Sequence, residues 1–168
     1  MYWEQSLETM ERRELERHQL RLLNASLTKA RRSPHYGQAL AGLPETGLTS
    51  LRALEELPFT GKSELRAGFP YGFLAVDPEE VVRLHSSSGT TGNPTVVYHT
   101  RGDIADWENL IARCMYSTGV RRKDVFQNMM GYGLFTGGIG FHYGAERLGV
   151  MTIPIGPGNS KRQIWFLQ

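Results

Sequence analysis

Between Leu84 and Tyr98 the chain runs Leu-His-Ser-Ser-Ser-Gly-Thr-Thr-Gly-Asn-Pro-Thr-Val-Val-Tyr, a hydroxyl-rich glycine loop followed at once by a β-branched run. Glycine lets a backbone turn sharply and approach a ligand closely. Ser86, Ser87, Ser88, Thr90 and Thr91 add five hydroxyls to Gly89 and Gly92 within seven residues. Together with free backbone N–H groups, such hydroxyls can surround a polyphosphate. An ordinary polar turn needs fewer of them. Residues 80–86 read as a strand entering the loop and residues 95–100 as a strand leaving it. That order suits a hairpin clamp on nucleotide phosphates, not a strand–loop–helix fold.

The other common phosphate loop is excluded. Gly61-Lys62-Ser63 could end a G-x-x-x-x-G-K-[ST] motif, but the first glycine would fall on Glu56.

The 168 residues bound the chain to about one domain. With 40% hydrophobic and 21% charged residues there is material for a core. No stretch approaches the roughly 18 apolar residues of a membrane helix. A formal net charge of +2, with basic residues dispersed, gives no electrostatic footprint for nucleic acid. One cysteine, Cys114, rules out an internal disulfide framework and a cysteine-based zinc cluster. Among apolar residues it reads as a buried thiol. The start lacks the basic and apolar runs of a signal peptide, which points to the cytoplasm. Ile164-Trp165-Phe166-Leu167 close the chain with large apolar residues after a candidate cap at Ser160, which we read as the N-terminal part of a longer protein.

Residues 4–32 are helix-prone, with Leu20, Leu23, Leu27 and Ala30 forming one stripe, ended by Ser33-Pro34. Residues 35–47 read as connection, and short helices are expected before Pro58 and from Thr60 to Arg66. Asp103 is expected to cap a helix to Ser117 that buries Ile104, Trp107, Ile111 and Met115 on one face. Buried strands at 124–130 and 150–155 flank a helix at 137–148. The resulting fold class is α/β with parallel pairing. It divides into a helical N-terminal region at 1–80 and an incomplete α/β part at 81–168. His18 and His35 read as surface residues, while His85 and His142, beside the glycine clusters, read as packing or hydrogen-bonding groups.

A second glycine cluster runs from Gly131 to Gly140. Its G-x-G spacing invites a dinucleotide fingerprint, but that motif wants an acidic residue about 20 positions on. Glu146 is the last acidic residue of the chain, so the fingerprint fails. Bare glycine backbone beside Tyr132 and Phe135 fits one wall of a pocket for a flat, aromatic small molecule. The alternative is a helix packed tightly on a sheet through its glycines.

The Ser-Ser-Gly-Thr-Thr-Gly-x-Pro pattern resembles the phosphate-binding signature of adenylate-forming enzymes, the acyl-CoA synthetase superfamily. Taken with Leu57–Arg66, Tyr132-Gly133-Leu134-Phe135-Thr136-Gly137-Gly138 and His142–Gly149, the chain closely resembles phenylacetate–CoA ligases along nearly its whole length. The resemblance implies the large N-terminal domain of an adenylate-forming enzyme and a role in phenylacetate catabolism. It implies that Ser86, Ser87, Ser88, Gly89, Thr90, Thr91 and Gly92 hold ATP phosphates, and that Tyr132, Phe135, Gly137 and Gly138 line the aryl-acid pocket. ATP with Mg2+ and coenzyme A are the implied co-substrates, with an aryl acid as the third small-molecule partner. Nucleic acid and membrane are not implied, and a homodimer of the full-length enzyme is left open.

Thr95 follows the loop proline as in the phenylacetate branch. Asn93 stands where that branch often has Lys, and Met130 where it commonly has an aromatic residue. The adenine and ribose contacts and the catalytic lysine of the family lie beyond these residues, so the catalytic residue is unassigned and the chain is expected to be inactive by itself. A non-catalytic nucleotide- or aryl-acid-binding module is the alternative, followed by an α/β interaction domain.

Overall fold

The computed structural model describes residues 2–87, 93–134 and 136–168. Ser88, Gly89, Thr90, Thr91, Gly92 and Phe135 lie outside the described residues.

The first half is helical. Helix α1 (Gln5–Glu8) precedes α2 (Arg12–Ala30), whose stripe of Leu20, Leu23, Leu27 and Ala30 is half-buried. Asn24 lies on the same stripe and pairs twice with Leu48. Its amide donates to the Leu48 carbonyl at 2.9 Å and its carbonyl accepts from the Leu48 N–H at 2.8 Å. That pairing fastens an irregular segment to the helix without a strand. Ser33-Pro34 ends α2 but also starts α3 (Pro34–Ala39), where connection was expected. The Ser33 hydroxyl accepts from the Tyr36 N–H at 3.2 Å and donates to the Ala30 carbonyl at 2.8 Å. Proline at the first helical position loses no needed N–H. His35 is half-buried rather than on the surface, with its ring 4.4 Å from Phe73 and 5.0 Å from Tyr36. A 3-10 turn at Leu51–Glu56 and α4 (Lys62–Ala67) complete this half.

The second half contains two small sheets and a helix pair. Strands β1 (Val81–Ser86) and β2 (Val96–Thr100) form an antiparallel hairpin around the hydroxyl-rich loop, with His85 opposite Val97 and Arg83 opposite His99. Helix α5 (Arg101–Ser117) follows without a break. Its cap is Thr100, not Asp103. The Thr100 hydroxyl accepts from the Asp103 N–H, and the Asp103 carboxylate accepts from the Thr100 N–H at 2.7 Å, a reciprocal capping box. Strand β3 (Val125–Gln127), α6 (Thr136–Leu148) and β4 (Met151–Ile153) form a strand–helix–strand unit with β3 and β4 parallel. Both strands are shorter than expected, and Val125 and Met151 are exposed.

Helices α5 and α6 pack so closely that α6 needs glycine. A Cβ at Gly140 would strike the Trp107 ring, and one at Gly144 would strike Ile111. The core beneath them comprises Ala112, Met115, Ala145, Leu148 and Val150, with Ile111, Phe126 and Phe141 packed around it. Ile104 and Met115 are buried on the anticipated face of α5, but Cys114 is exposed. It lies one position off that stripe, so the helical period turns it to solvent. Helix α7 (Ser160–Trp165) is capped by Asn159, not Ser160. The Asn159 side chain accepts from the Arg162 N–H. Ile164, Trp165, Phe166 and Leu167 are exposed.

Candidate functional site

The neck of the hydroxyl-rich loop is closed by Ser87 and Thr95. The Ser87 N–H donates to the Thr95 carbonyl at 3.0 Å, and the Ser87 hydroxyl accepts from both the Thr95 N–H at 3.2 Å and the Thr95 hydroxyl at 2.8 Å. The Ser86 hydroxyl donates to the Ser87 carbonyl at 2.8 Å. Thus Ser86 and Ser87 shape the loop's base through their own hydrogen bonds.

Behind this neck the hairpin turns polar groups inward. Arg83, His85 and His99 face α5 and α6, while Val82 and Leu84 are exposed on the other side. His85 is buried, with its ring 4.9 Å from His99 and 5.3 Å from Trp107, edge-on to both. Burial pushes the His85 imidazole below its ordinary pKa, and His99 and Arg83 push it further. His99 is also lowered, chiefly by burial, against the opposing pull of Asp103. A neutral imidazole can accept a hydrogen bond on one nitrogen. His85 Nδ1 lies 3.2 Å from the Thr136 hydroxyl. A cleft of about 400 Å³ opens here, lined by His85, Ser86, Thr95, Val97, His99 and Thr136 among others.

Thr136 belongs to the second glycine cluster, which the end of β3 positions. Asn128, fully buried, continues the parallel pairing. Its N–H donates to the Ile153 carbonyl at 2.9 Å and its carbonyl accepts from Gly156 at 3.0 Å. Its side-chain amide donates to the Gly138 carbonyl at 2.6 Å and to the Tyr132 hydroxyl at 2.9 Å, and its side-chain oxygen accepts from the Met130 N–H at 3.2 Å. One side chain therefore folds the 129–134 segment back onto α6. The fold-back is tight: Gly138 is buried, and a Cβ there would run into the Gly131 carbonyl.

The chain of hydrogen bonds continues outward in one direction. Having accepted from Asn128, the Tyr132 hydroxyl can donate to His142 Nδ1 at 3.2 Å, leaving His142 Nε2 to donate to Glu146 at 3.1 Å. That order requires the Nε2–H tautomer of His142. Burial raises the Tyr132 pKa, the bond from Asn128 lowers it, and Glu146 raises it again. The Tyr132 ring stays partly exposed. Gly137 is half-buried beside it.

The structure brings the two sequence clusters together. The Ser86 N–H donates to the Leu134 carbonyl at 3.2 Å, next to the His85–Thr136 pair. Sequence reasoning missed Asn128; a polar pair, Gln127-Asn128, between the apolar residues Val125-Phe126 and Met129-Met130 was the available signal.

No protein-family model matches the chain. Phenylacetate–coenzyme A ligase of Pseudomonas putida is 49% identical over 157 residues, covering 92% of this chain and 36% of that protein. The phenylacetate–coenzyme A ligase of Thermus thermophilus is 41% identical over the whole chain and 38% of its own length. A crystal structure of 2-hydroxyisobutyryl-CoA ligase with 2-HIB-AMP and CoA in the thioesterification state superposes with a TM-score of 0.89, at 31% identity over 99% of this chain and 37% of that one. The chain belongs to the adenylate-forming acyl-CoA ligases. Within them it falls in the phenylacetate–CoA ligase family, and it spans somewhat over a third of the length of these relatives.

Proposed function

We propose that the complete polypeptide containing this chain is an AMP-forming acid–thiol ligase for phenylacetate or a related aryl acid. One observation supports this most strongly. The base of the hydroxyl-rich loop and the start of the glycine cluster are joined at Ser86–Leu134 and His85–Thr136, so a phosphate held at one would stand beside an acid held at the other.

In this reading residues 86–92 hold the ATP phosphates, and Tyr132, Phe135, Gly137 and Gly138 line the acid pocket. Magnesium enters with ATP. The carboxylate oxygen attacks the α-phosphorus, the bond to pyrophosphate breaks, and an acyl-adenylate forms. The coenzyme A thiol then adds to the acyl carbon and loses its proton as AMP leaves. Holding two reactants in line and neutralising developing charge supply most of the rate enhancement in phosphoryl transfer. An aryl acid is favoured over a branched hydroxy acid by sequence. The phenylacetate relatives reach 41–49% identity, the 2-hydroxyisobutyryl-CoA ligase 30–31%. Met130 at the cluster's edge is adaptable, which leaves room for a ring substituent.

The test is AMP and pyrophosphate release by the full reading frame with ATP, coenzyme A and a panel of aryl and aliphatic acids. The expected result is release dependent on an aryl acid, and its loss in Gly89→Ala and Thr91→Ala variants. Release with no acid of the panel would sink the ligase reading.

A further inference from the structure

We propose that Thr136 and His85 are positioning residues. They lock the base of the phosphate-side hairpin to the start of α6, so that the two reacting groups are held in fixed register. The inference rests on the ligase reading above and goes beyond it by assigning alignment to two side chains outside both binding sets.

The contacts form a closed circuit. His85 Nδ1 meets the Thr136 hydroxyl. Thr136 opens α6, and α6 presses Gly140 against Trp107. Trp107 returns to His85 edge-on at 5.3 Å, and stacks on His99 with an interplanar angle of 14°. Helix α6 has no slack in this circuit, because any side chain at Gly140 or Gly144 would collide with α5. The parallel bond from the Ser86 N–H to the Leu134 carbonyl sets the height of the two segments. The His85–Thr136 bond prevents rotation about it. Burial disfavours the charged form of His85, which suits a bond to a hydroxyl.

Attack in line on the α-phosphorus depends steeply on alignment, and a displacement of about 1 Å can lower a rate by about a hundredfold. Positioning and binding are therefore separable. Loss of a binding group raises KM. Loss of the lock lowers kcat with little change in KM.

Thr136 is exposed apart from this bond, so Thr136→Val removes the hydroxyl while leaving the core intact. In the full-length protein, Thr136→Val is expected to lower kcat for adenylate formation by about tenfold, with KM for ATP and acid each within about twofold of the parent. Thr136→Ser, which retains the hydroxyl, restores the parent rate. Amide hydrogen exchange gives a readout independent of activity. Peptides spanning 82–87 and 131–136 are expected to lose protection together in Thr136→Val and to regain it in Thr136→Ser. Unchanged kcat, a rise in KM alone, or loss of protection confined to 131–136 would each overturn the lock. A parent protein that releases no AMP would instead overturn the ligase reading, and the exchange experiment would still decide whether the lock exists.

Discussion

The buried amide of Asn128 reaches the Gly138 carbonyl at 2.6 Å, joining the end of β3 to the first turn of α6. Because the same amide also meets Tyr132 and Met130, the whole return of the chain after β3 depends on one side chain. Asn128→Leu would strand the buried Gly138 carbonyl and is expected to destabilise the protein by about 3 kcal/mol, near the upper range for orphaned buried polar groups. Chemical denaturation measures it. A loss below about 1 kcal/mol would show that water replaces the amide.

The Tyr132 hydroxyl is already engaged by Asn128 and His142, so the ring is what Tyr132 would contribute to the proposed acid pocket. Tyr132→Phe is accordingly expected to change KM for an aryl acid by less than about threefold, whereas Tyr132→Ala raises it by about tenfold, the effect of losing an aromatic contact. Steady-state kinetics on the full-length protein distinguishes them. A large effect of Phe would mean that the hydroxyl, not the ring, meets the acid.

Gly140 faces the Trp107 ring with no room for a methyl group. Gly140→Ala is expected to cost about 1–3 kcal/mol by overpacking. Trp107→Leu, destabilising alone, should relieve part of that cost, so the double variant is more stable than the sum of the two losses implies. Strict additivity in a denaturation cycle would place the strain elsewhere.

Both His85 and His99 are held below the ordinary histidine value of 6.5 chiefly by burial. The unfolded chain then binds more protons than the folded one between the depressed values and 6.5. Stability rises with pH through that window and falls as pH drops through it. Melting temperature is expected to be flat above neutrality and to decline below pH 6.5, and His85→Gln is expected to shallow the decline. An equal slope in that variant would assign the effect to other groups.

Much of this architecture was legible because its signals are periodic. Ile104, Trp107, Ile111 and Met115 marked the inner face of α5, and the two apolar runs around residues 137–148 marked the parallel pair. The misses have local causes. Ser33-Pro34 serves at once as stop and start, and only the bond from Tyr36 to Ser33 reveals the second role. Asp103 and Thr100 cap one another, so either could be taken for the cap. Cys114 sits among apolar neighbours in sequence but one position off their face. Asn128 does its work through a side chain turned back on the segment that follows it, reaching Met130, Tyr132 and Gly138, and no apolar spacing pattern records that.

Asn128 is also a point of rigidity for any redesign of this segment. Its three side-chain bonds end on two backbone groups and one phenol, so no single substitution elsewhere can substitute for it, and no single substitution there can be compensated by one neighbour. If this segment is the proposed acid-pocket wall, reshaping it for a different acid would fall to its edge, at positions such as Met130 and Leu134, whose side chains are exposed. The floor is tied together by one side chain, and the rim is where a substitution disturbs no buried bond.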